Sequence, residues 1–190
     1  MQTLKDQYTA HLDVQHKMEI IMNKYADKYD GFIRIADDQY AVNPFTLEDI
    51  ITPHYIDYDC AKVKCVEHLT PNYWIFNKQL TIKMLKSKNL PIINYTIHYP
   101  YYYEFIKLKE IWDKFDMRKQ SYVLEDVYFN YFTHEQPVLI NTVGFRAERR
   151  RDYQKEFLEA LANPNIKFVN NTPNTWCKDL ETKLLEIYSK

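Results

Sequence analysis

The chain has 190 residues, 46% of them hydrophobic, and a formal net charge of −1. That length suits one domain, 1–190, with a substantial core, and the hydrophobic share excludes wholesale disorder. Near-neutral charge argues against a protein built to grip a nucleic-acid backbone. With no apolar run of about 18 residues and no apolar leader, the expectation is a soluble cytoplasmic protein without a transmembrane segment.

From Asp13 to Lys28, apolar groups at Val14, Met18, Ile21, Met22 and Tyr25 recur with a helical period. Gly31 breaks that pattern, and Phe32 to Ala36 form a short apolar run suited to a buried strand. Asp37-Asp38-Gln39 supplies a turn, Tyr40 to Val42 a second short strand, and Asn43-Pro44 closes it. Thr46-Leu47-Glu48-Asp49 approximates a capping box for a short helical turn through Ile50. Alternation over Tyr55 to Val66 suggests a strand. A helix is predicted from Thr70-Pro71-Asn72 through Trp74, Phe76, Leu80, Ile82, Met84 and Leu85.

Pro91 precedes Ile92 to Ile97, a β-branched stretch that reads as a strand ending at His98. Tyr101 to Phe115 returns to helical spacing, with Phe105, Leu108, Ile111 and Trp112 on one face. Glu125 to Phe132 predicts a buried aromatic helix and Val138 to Val143 a strand. Arg149 to Ala162 reads as an amphipathic helix ended by Asn163-Pro164. Lys167 to Asn170 suggests a last strand, and Pro173 to Tyr188 a closing helix. Strands alternating with helices predict an α/β domain, three-layer-like, with a small mixed, mostly parallel sheet.

The residues that carry chemistry cluster at strand ends, where open α/β sheets bind ligands. Asp37 and Asp38 follow an apolar strand, where two adjacent carboxylates either form a turn or are compensated by a cation. A hard divalent ion such as Mg²⁺ or Mn²⁺ takes such oxygen ligands and bridges them to phosphates. His98 and Glu125-Asp126 are further acid–base candidates, although Glu125-Asp126 could simply begin a helix. Arg34, on the acidic strand, and Arg146, directly after a strand, are candidates for phosphate binding. The two glycines, Gly31 and Gly144, rule out a glycine-rich phosphate loop. Three cysteines, Cys60, Cys65 and Cys177, show no zinc-type pairing and fit a reducing compartment. Seventeen tyrosines either fill a half-buried core or form a surface for sugar or protein recognition.

The segment FIRIADDQYAVNPF resembles the acidic metal-binding strand of bacterial and phage capsular-polysaccharide glycosyltransferase-like proteins. These belong to the GT-A style group that includes the Stealth sugar-phosphate transferases. QHKMEIIMNKYADKYDG is similar to the helix that leads into that strand. IHYPYYYEFIKLKEIWDKFD resembles the histidine-x-proline region with its amphipathic helix, and SYVLEDVYFNYF the Glu-Asp and aromatic run that follows. KFVNNTPNTWCKDLETKLLEIY is similar to the closing asparagine-containing strand and helix. The family has an arginine just before its Glu-Asp pair, where this chain has Tyr122-Val123-Leu124. The resemblance implies a truncated GT-A-like fold in which Asp37 and Asp38 bind Mn²⁺ or Mg²⁺ and a nucleotide-sugar diphosphate. It implies His98 at the reacting centre, and Glu125 or Asp126 at the acceptor, a cell-surface glycan. Only about 30 residues precede Asp37, one helix and a tail. Against the family the chain therefore reads as a truncated form, a fragment of a split gene whose N-terminal nucleotide-binding units a partner chain could supply, or a domain that has lost donor binding. A non-catalytic carbohydrate- or protein-binding relative is the alternative.

Overall fold

The computed structural model describes residues 10–36, 38–55, 74–97, 99–132, 138–139, 153–170 and 178–189. In chain order the elements are α1 (Ala10–Tyr25), β1 (Gly31–Arg34), β2 (Gln39–Ala41), α2 (Glu48–Ile51), β3 (His54–Tyr55) and α3 (Trp74–Ser87). Then follow β4 (Tyr101–Glu104), α4 (Phe105–Lys114), α5 (Leu124–Phe132), β5 (Val138–Leu139), α6 (Tyr153–Ala162), β6 (Phe168–Asn170) and α7 (Lys178–Tyr188). The architecture is mixed α/β.

The sheet differs from the expected, mostly parallel one. Among the described residues the strands form three separate pairs: β1 with β4 antiparallel, β2 with β6 antiparallel, and β3 with β5 parallel. Short strands in separate pairs do not give the right-handed parallel crossovers that βαβ alternation implies. Two local expectations also change. Tyr101 to Glu104 is a strand, because Tyr101 and Tyr103 turn into the core while Tyr102 and Glu104 stay half-buried. That four-residue alternation is masked by the helical phase of the Phe105 to Trp112 stretch that follows it. Ile92 to Ile97 belongs to none of the three strand pairs and makes only a single bridge at Asn94, and side chains from α3, α5 and β4 take up its polar groups. The predicted continuations of strand and helix over 56–73, 140–143, 149–152 and 171–177 lie outside the described residues.

The helices form where their apolar spacing demands. On α4, Phe105, Leu108, Ile111 and Trp112 are buried while Ile106 stays exposed. α3 ends on a left-handed Asn89 with φ of 53°, and the Leu90 amide returns to the Leu85 carbonyl at 3.0 Å. The principal core gathers Met18 and Met22 of α1, Leu85 of α3, Tyr101 and Tyr103 of β4, Leu108 and Trp112 of α4, and Val127 and Phe129 of α5. A second cluster joins Val42 and Val169 to Phe157, Ala160 and Leu184.

Gly31 is fixed by close approach rather than by dihedral freedom. A Cβ there would overlap the Tyr103 carbonyl oxygen and stand 2.8 Å from the Tyr102 hydroxyl. Only glycine lets β1 lie this close to β4.

Candidate functional site

The β1–β4 ladder runs Gly31↔Glu104 to Arg34↔Tyr101. Its Arg34 end is where the motif-bearing segments meet. β1 leads from Arg34 through Ile35 and Ala36 toward the acidic pair. β4 begins at Tyr101, immediately after the His98-Tyr99-Pro100 segment. The Tyr101 hydroxyl accepts the Ile97 amide at 2.9 Å and donates to the Tyr95 carbonyl at 2.9 Å. It thereby ties β4 to the residues that precede His98. Asp37 and His98 themselves lie outside the described residues, as do Arg146, Cys60, Cys65 and Cys177.

Two further segments reach the same end. The Asn170 side chain of β6 donates to the Asp38 carbonyl at 3.3 Å, and Gln39 pairs with Asn170 in the β2–β6 ladder. Within the turn, the Ala36 amide donates to the Gln39 side chain at 3.0 Å. From the other side, α5 delivers Glu125 to Arg34, and the two side chains form an ion pair. The guanidinium beside Glu125 therefore comes from β1, not from the residues that precede α5.

Glu125 is almost buried, whereas a quarter of the Arg34 side chain is exposed. Burial acts to raise the Glu125 carboxyl. The Arg34 guanidinium, the amide at the start of α5 and His11 outweigh it, and the carboxyl stays below its ordinary range. Glu125 in turn drives Arg34 further above its ordinary value. Burial pushes the Tyr101 and Tyr103 hydroxyls well up, with Glu125 adding to the shift, so both stay neutral. A carboxylate held this low is a weak proton acceptor, and its geometry suits holding Arg34.

Asp126 occupies a closed shell. Its side chain is 2% exposed and that of its partner, Lys78 of α3, is 1% exposed. The Lys78 ammonium donates to Asp126 Oδ2, to Asn94 Oδ1 at 2.6 Å and to Thr96 Oγ1 at 3.1 Å, which uses all three of its N–H bonds. Asp126 Oδ1 accepts the Tyr95 amide at 2.9 Å and the Thr96 hydroxyl at 3.3 Å. Burial pushes the Asp126 carboxyl up, opposed by Lys78 and the Tyr95 amide. Every oxygen is engaged and solvent is excluded, so this arrangement joins three segments and does not offer Asp126 to an acceptor.

Two residues of this region escape a reading of the sequence. Lys78 carries a signal, because it lies in helical phase with Trp74, Ile82 and Leu85, on a buried face it shares with Asn77 and Thr81. His11 lies one turn before Gln15 on α1, and the Gln15 side-chain amide donates to the Tyr122 carbonyl at 2.6 Å, just before α5. That docking brings His11 into the field of Glu125, Arg34 and Lys78, and burial lowers its imidazole below the ordinary 6.5.

The unfolded chain therefore binds the His11 proton first as pH falls, and stability declines with it. Unfolding free energy is expected to drop as pH is lowered through about 6.5 toward the folded value, and to be intact above that window. Denaturant titrations across this range check it. His54 is lowered by burial as well and adds to the same window, so His11→Gln should reduce the slope without abolishing it. A slope unchanged in the variant assigns the titration elsewhere. The Glu125 contribution is lost later, as pH falls through its depressed value.

Among the described residues, no three His, Cys, Asp or Glu side chains form a group able to hold an ion, and no helix is long and apolar enough to cross a membrane. Comparison with family models, with curated proteins and with solved structures finds no match to this chain.

Proposed function

We propose that this chain is a metal-dependent glycosyltransferase-like protein, related to the capsular-polysaccharide group, acting on a nucleotide-sugar donor and a cell-surface glycan acceptor. One observation carries the reading. Four segments far apart in sequence, leading to the acidic pair, to His98, to Glu125 and to Asn170, converge on the Arg34 end of one two-stranded ladder. Convergence of separate polar segments is what a site requires, and a core does not need it.

Asp37 and Asp38 would supply carboxylate oxygens, the donor type a hard cation takes. When bound, Mn²⁺ or Mg²⁺ supplies charge compensation for a departing diphosphate. Arg34, whose side chain is a quarter exposed, would bind a phosphate oxygen while Glu125 holds its guanidinium. His98 is left as the group that takes the acceptor proton, because Glu125 is held ionised by Arg34 and Asp126 is enclosed. The closed shell of Asp126 also favours a second reading, a non-catalytic carbohydrate- or protein-binding relative whose Glu-Asp pair only supports the fold.

Calorimetric titration of Mn²⁺ with UDP- and GDP-sugars separates the two. Binding by the wild-type chain, abolished in an Asp37→Ala, Asp38→Ala double variant of unchanged fold, is the expected result. A response that survives the double substitution moves the assignment to the binding relative.

A further inference from the structure

Lys78 has no route to a ligand. Its side chain is 1% exposed and all three N–H bonds are used inside the protein. Nor is stability a sufficient reason for its presence. A buried ion pair is commonly replaced by neutral groups of similar volume without loss, because desolvation of two charges consumes much of their attraction. What the ammonium does uniquely is geometric. It connects α3 to Asn94 and Thr96 in one segment and to Asp126 in another. Asp126 accepts two bonds from that same segment, from the Tyr95 amide and the Thr96 hydroxyl. The first segment runs through Ile97 directly into His98. The second is the first turn of α5, whose neighbouring residue Glu125 holds Arg34. Asn130, one turn further along α5, repeats the tie with two bonds to the Ile93 backbone at 2.8 Å.

We propose that Lys78 is a positioning residue: with Asp126 as its counter-charge, it sets the spacing between the Asn94–Ile97 segment, which leads in sequence to His98, and the start of α5, where Glu125 holds Arg34. The inference rests on the metal–diphosphate reading above and adds a residue that never meets the ligand. Pairwise charge is not the essential element; three simultaneous directed bonds from one nitrogen are. A neutral, volume-matched replacement keeps the core filled but lets the two segments move independently.

The test is a Lys78→Met, Asp126→Asn double variant, in which the side-chain carbonyl left at position 126 still accepts the Tyr95 amide. The thermal midpoint and the affinity for Mn²⁺ with UDP are measured side by side on the full chain. The expected result is a midpoint close to wild type together with affinity reduced about 10–100-fold, the range typical of groups that orient a ligand set from behind. An unchanged midpoint with unchanged affinity overturns the proposal. If the double variant does not fold, Thr96→Val decides, since it removes one of the three Lys78 bonds together with the Thr96–Asp126 bond and preserves shape: weakened binding supports the assignment and wild-type binding overturns it. Wild-type protein that binds no Mn²⁺ with UDP or GDP overturns the metal–diphosphate reading and this inference with it. Binding that is insensitive to both variants removes the inference alone.

Discussion

Lys78→Met alone is expected to lose about 3–5 kcal/mol of unfolding free energy near neutral pH, the range for removing one partner of a buried ion pair. The substitution fills the same space, so packing is not the cause. It strands the Asp126 carboxylate, 2% exposed, with only the Tyr95 amide and the Thr96 hydroxyl to compensate it. Asn94 Oδ1 loses its charged donor at the same time and keeps the Thr96 amide at 3.1 Å. The deficit should be pH-dependent with a definite sign. Without Lys78 the Asp126 carboxyl rises further above its ordinary value, so the folded variant takes up a proton that the unfolded chain does not. Acidification therefore stabilises the variant relative to wild type, and the gap between them narrows as pH falls. Urea denaturation at several pH values measures it, with exposed Lys83→Met as a control expected to stay within about 0.5 kcal/mol. A gap that is small at neutral pH, or that widens on acidification, contradicts an ionised, enclosed Asp126.

Gly31→Ala is expected to have the second largest effect. Its methyl would run into the Tyr103 carbonyl oxygen, a backbone atom held in the β1–β4 ladder, and no side-chain rotation relieves that contact. The strands must separate or shift. The loss is expected to be at least about 1–3 kcal/mol, as for overpacking in a tight core, or about 2–4 °C of midpoint per kcal/mol at this chain length. The same ladder ends at Arg34↔Tyr101, so any Mn²⁺ response should weaken beyond what the midpoint alone accounts for. Differential scanning calorimetry with and without Mn²⁺ reads both quantities. A wild-type midpoint in Gly31→Ala would mean that the strands have room to spare.

Elements whose apolar residues recur every three or four positions are legible in the sequence. α1, α3, α5 and the α4 portion of the Tyr101 to Phe115 stretch lie where their spacing predicts. Strand partners are not legible. β1 and β4 are separated by 66 residues between Arg34 and Tyr101, and nothing local in either run specifies the other or its antiparallel direction. β4 reads as helix because its four-residue alternation is shorter than the helical pattern it adjoins. At the candidate site, Arg34, Asp38, Glu125 and Asp126 are visible as charged residues at the edges of apolar runs. Their partners are not. Which cation meets which carboxylate is decided by how α3, α5 and β1 pack, and charge pairing leaves no trace in local spacing. Asp126 illustrates the limit, since its position beside Glu125 implies a shared role while packing gives one a half-open partner and the other a sealed one.

The tie between Asn170 and Asp38 also has a consequence in time. The two residues are 132 positions apart, and β2 has no ladder partner among the described residues except β6. On a ribosome extending the chain at about 5–20 residues per second, Asp38 is made about 7–26 s before Asn170. During that interval α1, α3, α4 and α5 can assemble from nearer partners, while the acidic turn waits for its last clasp. The residues of the principal core are thus made before the last clasp of the candidate site. A chain truncated before residue 168 and released from the ribosome should have a protease-resistant body while its 38–42 region remains open to cleavage.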